Sequence, residues 1–163
     1  MTKLASVQLT RRAGPAVYGR KFSFLALGQG AKVTVQMRLD GAWETLGGPS
    51  ARFSGSARLD GPTPFRLLVG KTTAAAVTVP VAPQIAVRRV ATGIAGKMTP
   101  AREGATVLVQ RLEGDEWLPA GEATVEASGT FLAEVELAPG SYRVRSAPAA
   151  GLAQGLSATI QAG

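Results

Sequence analysis

Two carboxylates have the residue type and spacing best suited to catalysis. Glu134 and Glu136 stand two positions apart within residues 130–137, and paired carboxylates hydrolyse glycosides when they converge on one sugar. The alternating pattern of this segment turns both toward solvent on either side of Val135, which predicts a solvated strand face. The chain has no His and no Cys, which excludes His- and Cys-dependent triads and the usual transition-metal ligands. We predict that the protein is not an enzyme and has no catalytic residues, metal or cofactor.

Two other segments contain residue types that bind ions. Residues 112–116 place three acids around a turn, but without the ligand spacing of a calcium loop. Residues 28–30 are Gly-Gln-Gly between two predicted strands, whereas a phosphate-binding loop precedes a helix. The first segment leaves a weak cation site as an alternative, and the second is predicted to be a turn.

An internal repeat determines what must position these residues. The matching pairs are residues 30–36 with 104–110, Trp43 with Trp117, and residues 53–59 with 131–137. Such a repeat makes half of the chain the unit to be explained. The equivalent positions of the two tryptophans favour a shared packing role. Binding of a sugar on an exposed tryptophan face remains an alternative.

Apolar and polar residues alternate in most segments, which predicts half-buried β-strands. Asp-Gly and Pro-Gly pairs separate the segments, and no window shows a sustained helical period. About seven short strands in each half, with a turn signal every 8–12 residues, indicate a β-sandwich. We therefore predict an all-β protein with two tandem immunoglobulin-like β-sandwich domains. They comprise a basic domain at 1–81, a near-neutral domain at 84–163 and a short Pro-rich linker at 80–83.

The alternation also predicts the two cores. In the first domain the core residues are Phe22, Phe24, Val33, Val35, Phe53, Leu67 and Val77; in the second they are Val107, Val109, Phe131, Val135, Tyr142, Val144 and Ile160. Arg111 breaks the pattern, because it falls where the repeat places the inward Met37. Either the end of the sandwich shields Arg111 or the strand has a bulge there.

Positive charge is concentrated in the first half. Residues 1–82 contain eleven Lys or Arg and three acids, for a net charge of +8, whereas the remainder has seven and eight, for −1. Arg predominates, which favours bidentate contacts with carboxylate or phosphate. The predicted partner-binding residues are Arg11, Arg12, Arg20, Lys21, Lys32, Arg38, Arg52, Arg58 and Arg66. A sandwich spreads them over two sheets, which suits docking on a broad acidic surface better than sequence-specific nucleic-acid binding. A merely solvated basic surface is the alternative.

The sequence resembles a known family in residues 104–110, Trp117, 128–131 and 141–144. These segments are similar to the bacterial immunoglobulin-like repeat of surface-exposed and secreted proteins, and related modules occur on bacteriophage virion proteins. The first half departs from the pattern at residues 52–54 and 65–67. The resemblance implies a spacer, adhesive or decoration role without a catalytic site.

Three functions follow as hypotheses. The first is a virion decoration or accessory protein of a phage capsid or tail, whose basic module docks on the particle and which has a homo-oligomeric arrangement there. Its support includes the initial Met and the lack of an export signal or a membrane-spanning apolar stretch, so we expect no membrane contact. The second is a spacer or adhesive module of a larger secreted or cell-surface protein that binds a surface polymer. The third is a carbohydrate-binding module.

Overall fold

A computed structural model of the chain describes residues 7–163. The described residues form β-strands, turns and loops without a helix, and the predicted all-β, immunoglobulin-like fold is confirmed. The chain divides into two compact units, residues 1–81 and 82–163. Within residues 7–163 no helix has the length and apolar character needed to cross a membrane.

Eight strands lie within the first unit, and a ninth spans its last residue and the first residue of the second unit. They are β1 (Gln8–Arg11), β2 (Ala16–Val17), β3 (Lys21–Leu27), β4 (Val33–Leu39), β5 (Ala42–Ser50), β6 (Arg52–Arg58), β7 (Thr63–Val69), β8 (Thr72–Val79) and β9 (Val81–Ala82). One sheet has the order β1-β3-β6 and the other the order β5-β4-β7-β8, while β2 pairs with β9. The segment expected to be a linker thus includes the short strand β9.

The second unit repeats this topology with seven strands. They are β10 (Gln84–Val90), β11 (Gly93–Thr99), β12 (Thr106–Glu113), β13 (Glu116–Thr124), β14 (Thr130–Glu134), β15 (Gly140–Ser146) and β16 (Ile160–Ala162). The sheets have the orders β10-β11-β14 and β13-β12-β15-β16. A three-stranded and a four-stranded antiparallel sheet with buried inner faces are typical of an immunoglobulin-like sandwich.

The inner face of the first unit is largely the predicted one. Phe22, Phe24, Val33, Val35 and Leu67 are buried, because period-two alternation sends them between the sheets. The predicted core also included Phe53, which is only partly buried.

The prediction for Val77 was wrong, because this side chain is 39% exposed. Val77 pairs with the buried Phe65 and so lies on the expected face. However, β8 is an edge strand with only one neighbour in its sheet. A residue on such a strand lies at the rim of the core.

The core of the second unit matches its prediction more closely. Val107, Val109, Phe131, Tyr142 and Val144 are buried, with Val135 and Ile160 packed partly buried against them. The Tyr142 hydroxyl donates a hydrogen bond to the carbonyl oxygen of Ala138, four residues upstream, at 2.8 Å. This contact is the tyrosine corner found in immunoglobulin-like sandwiches.

The end of the sandwich shields Arg111. This residue pairs with the buried Tyr142 and so keeps the inward position that Met37 has in the first unit. Its Nε atom is buried, and its guanidinium donates to Pro139 O at 3.0 Å. The pairing of β12 with β13 does contain a bulge, but the extra residue is Ala120 in β13, so the alternation of β12 is intact. Of the two alternatives, the shielded position accounts for Arg111.

Candidate partner-binding surface

The nine predicted partner-binding residues do not form one patch. Arg12, Arg20, Lys21, Lys32, Arg38, Arg52 and Arg58 are exposed, whereas Arg11 and Arg66 are partly buried. Strand direction divides the exposed residues between opposite ends of the first sandwich, because β3 and β7 run one way and β4, β6 and β8 the other.

One end of the first unit carries basic residues together with acids. Lys21 at the start of β3 is the cross-strand partner of Arg58 at the end of β6. The Arg58 guanidinium donates to Gly19 O at 2.7 Å, which holds the guanidinium against the turn before β3. All three acids of this unit belong to the same end: Asp40 follows β4, Glu44 pairs with Met37 near the end of β4, and Asp60 follows β6. Positive charge is partly offset there.

Among residues 7–163, the charged residues at the opposite end of the first unit are all basic. Lys32 precedes β4, Arg52 begins β6, and Lys71 lies in the turn between β7 and β8; all three are exposed. We call this group of three the basic end. Its position follows from the pairing of Val33 with Ser50 and of Thr34 with Leu68.

Backbone hydrogen bonds hold the connections of the basic end together. The Gly28 amide donates to Ala51 O at 2.9 Å, and the Ala31 amide donates to Gly28 O at 3.0 Å. These bonds tie the turn that carries Lys32 to the residue preceding Arg52. Residues 28–30 thus form a turn between β3 and β4, as predicted. Lys32 and Arg52 therefore project from a backbone that these hydrogen bonds hold in place.

Sequence reasoning missed Lys71, because this residue lies in a turn and not in an alternating strand. The signal that points to it is topological. Gly70 and Lys71 follow a strand that runs antiparallel to residues 33–39, and such a turn must lie at the end where residue 33 begins.

The Arg11 side chain forms hydrogen bonds with nearby backbone oxygens. Its guanidinium donates to Arg12 O at 3.2 Å and also to Gly14 O. Arg11 pairs with the buried Phe24 and lies beside Phe65 and Val77 along the open rim between the sheets. These contacts leave fewer donors for a partner than an exposed arginine has.

Arg66 belongs to a stack of three side chains on the outer face of the four-stranded sheet. Its guanidinium carbon lies 4.1 Å from the ring centroid of Trp43, and its Nε donates to Gln36 Oε1 at 2.8 Å. Arg38 lies 6.0 Å from the same ring. Cation–π attraction and a charge-assisted hydrogen bond therefore act on one guanidinium.

The second unit contains the same stack. Arg143 lies 4.3 Å from the Trp117 centroid and donates through Nε to Gln110 Oε1 at 2.9 Å. Burial, followed by the positive charge of Arg145, lowers the pKa of Arg143 below its ordinary value. Both tryptophans are partly buried with one face covered by a guanidinium, which fits the predicted packing role and leaves less ring surface for a sugar.

The candidate catalytic and metal-binding carboxylates are exposed side chains. Glu134 and Glu136 are exposed on either side of the partly buried Val135, as the alternation predicts. Within residues 7–163 there is no group of three or more His, Cys, Asp or Glu side chains placed to hold a metal ion.

Comparisons with known proteins give structural likeness only. No family model matches the chain, and no curated protein matches it. A cytokine receptor complex chain is similar at 18% identity and a TM-score of 0.45, with 95% of this chain and 92% of that chain covered. A two-domain fibronectin type III segment of chicken tenascin is similar at 14% identity and a TM-score of 0.39, with 96% of this chain and 98% of that chain covered. The BSP domain of a biofilm-associated protein is similar at 15% identity and a TM-score of 0.36, with 94% of this chain and 29% of that chain covered.

Proposed function

We propose that this protein is a non-enzymatic binding and structural module whose basic first unit docks on an acidic surface. The observation that carries this proposal is the basic end. Lys32, Arg52 and Lys71 are exposed there, on three separate connections without an acidic residue among them. Cations with no acidic neighbour keep an attractive field for an anionic partner.

The arrangement favours a broad partner over a small ligand. The three cations project from the end of a sandwich and do not converge within a cleft, so they can contact separate carboxylates or phosphates on a facing surface. A helix or β-ribbon that enters a groove of duplex DNA is the usual means of sequence-specific reading. Lys32, Arg52 and Lys71 lie in turns or at the start of a strand and not on such an element. We therefore infer docking without sequence-specific nucleic-acid binding.

The partner we propose is a virion, with the protein acting as a decoration or accessory component of a phage capsid or tail. The alternative is a spacer or adhesive module of an extracellular or cell-surface protein. Immunodetection in density-purified phage particles from the encoding organism, compared with its cell-envelope fraction, separates the two. Capsid and tail genes beside the coding sequence would support the virion role, and a hydrolase domain in the same reading frame would contradict it.

Neutralising the basic end is expected to weaken docking by at least about tenfold. The triple variant Lys32→Gln, Arg52→Gln, Lys71→Gln removes three contacts, each contributing about 0.5–1 kcal/mol at an exposed site. Binding to a poly-L-glutamate surface is measured by biolayer interferometry at about 50 mM NaCl, where screening is weak. No hydrogen bond from these three side chains is found among the described residues, so the variant is expected to fold.

The matched control removes the same net charge elsewhere in the same unit, with Arg12→Gln, Arg20→Gln and Lys21→Gln. We expect this control to lose less than threefold in affinity. Equal losses in the two triple variants would show that total charge, and not the basic end, governs binding. Binding of the unmodified protein that is insensitive to salt would contradict electrostatic docking altogether.

A further inference from the structure

The second unit has an end of opposite charge. Glu113 ends β12, Glu116 begins β13, and Asp115 lies in the turn between them, while Glu134 ends β14 and Glu136 follows it. All five carboxylates are exposed. We call these five residues the acidic end. They are five of the eight acids in this unit.

Basic residues only partly offset the acidic end. Arg111 is paired with Glu113 at 3.4 Å, and Arg88 and Arg89 lie near the end of β10, opposite Ala95 and Ile94. Five acids against three arginines leave an excess of two negative charges. Residues 89–93 and 134–137 line an open depression of about 840 Å³ at this end, which offers a concave surface beside the carboxylates.

Neither charged end is the point at which the chain joins the two units. The chain leaves the first unit after β8. The last residue of β8, Val79, pairs with Thr63, whereas Lys71 lies at the other end of the β7–β8 hairpin. The second unit is entered at Gln84, which pairs with Thr99, whereas the acidic end lies where Val90 pairs with Gly93. In each unit taken by itself, the charged end lies opposite the connection.

We propose that the basic end of one copy binds the acidic end of another copy, in a head-to-tail association. The cations of Lys32, Arg52 and Lys71 then face an end with excess negative charge, which gives electrostatic complementarity. Two different surfaces form the contact, so the interface is heterologous and repeats from copy to copy. This inference rests on the proposed docking role of the basic end and names a second copy as its partner.

Sedimentation velocity of the full chain tests the association. At about 20 mM NaCl the weight-average sedimentation coefficient of the unmodified protein is expected to rise with concentration, and at about 500 mM NaCl this rise is expected to disappear because the charges are screened. A sedimentation coefficient that stays constant with concentration at low salt would overturn the proposal.

Charge-reversed variants locate the interface. One variant carries Lys32→Glu, Arg52→Glu and Lys71→Glu, so both of its ends are acidic; the other carries Asp115→Lys, Glu116→Lys and Glu136→Lys, so both are basic. Each alone is expected to remain monomeric, and an equimolar mixture is expected to associate. Circular dichroism confirms folding. Association of either variant alone, or a mixture of folded variants that stays monomeric, would overturn the proposal.

Poly-L-glutamate binding separates this inference from the proposed function. The variant altered at the acidic end keeps its basic end and is expected to bind the polymer at least as well as the unmodified protein. A protein that binds the polymer but does not self-associate overturns only the head-to-tail contact. A protein that self-associates through other surfaces and does not bind the polymer overturns the docking role itself.

Discussion

Replacing Gly93 by alanine is expected to destabilise the second unit by about 3 kcal/mol or more, which is a large fraction of the stability of a domain of this size. Gly93 has φ 149°, a conformation that side chains disfavour. A Cβ at this position would lie 2.0 Å from Ala133 O and 2.8 Å from Val135 N. These are backbone atoms at the end of β14, so no rotamer change relieves the clash and β11 and β14 must separate.

Hydrogen exchange followed by mass spectrometry resolves this effect by unit. Loss of amide protection is expected in residues 130–134, while residues 52–58 of the first unit keep theirs. Gly114→Ala is the matched control, because Gly114 has φ 63° and a Cβ there would meet no atom within 4 Å beyond its chain neighbours; it is expected to cost about 1–2 kcal/mol. If Gly93→Ala were no more destabilising than Gly114→Ala, the close approach of β11 and β14 would not limit stability.

The buried face of each strand can be predicted from the sequence because alternation along a strand is a local property. Alternate apolar residues such as Val33 and Val35 must share a face whatever their strand pairs with. The position of a strand within its sheet is not local, and this is why Val77 was assigned to the core although β8 is an edge strand. The bulge between β12 and β13 is not local either, because its extra residue, Ala120, is defined only by how β13 pairs with β12.

The candidate surface was less predictable for the same reason. Lys32 and Arg52 were recognised as outward cations, but their proximity to Lys71 depends on which strand ends meet. The packing of Arg66 depends on Trp43, which lies 23 positions earlier in the sequence and contacts Arg66 across the intervening strand β4. Charge and alternation identify exposed residues, whereas grouping them requires the topology.

Comparison of the two units separates what supports the fold from what differs at the surface. The Gln–Arg–Trp stack, the core strands and the bulge after the second core valine occur in both. At the basic end, Lys32 and Arg52 correspond through the repeat to Thr106 and Thr130. The shared scaffold therefore presents different charge at equivalent positions, which supports separate binding roles for the two units.

Removing the guanidinium of the second stack is expected to cost about 2–3 kcal/mol. Gln110 is 5% exposed, and among the described residues Arg143 is the only donor to its Oε1. Arg143→Ala therefore leaves a buried acceptor unsatisfied, which costs about 1–3 kcal/mol. Loss of the contact with Trp117 adds about 0.5–2 kcal/mol. Urea unfolding is followed by fluorescence in a Trp43→Phe background, where Trp117 is the remaining tryptophan, and measures the change in the free energy of unfolding.

The first stack provides the matched comparison. Arg66→Ala is expected to cost about 1 kcal/mol, because Gln36 is less buried, so water can reach its freed oxygen, and its amide keeps a 3.1 Å hydrogen bond to Thr45. Arg143→Lys keeps the charge but loses the Nε donor and the planar group, so it should recover less than half of the loss. Full recovery by lysine would show that charge alone, and not the stacked and hydrogen-bonded guanidinium, stabilises the second unit.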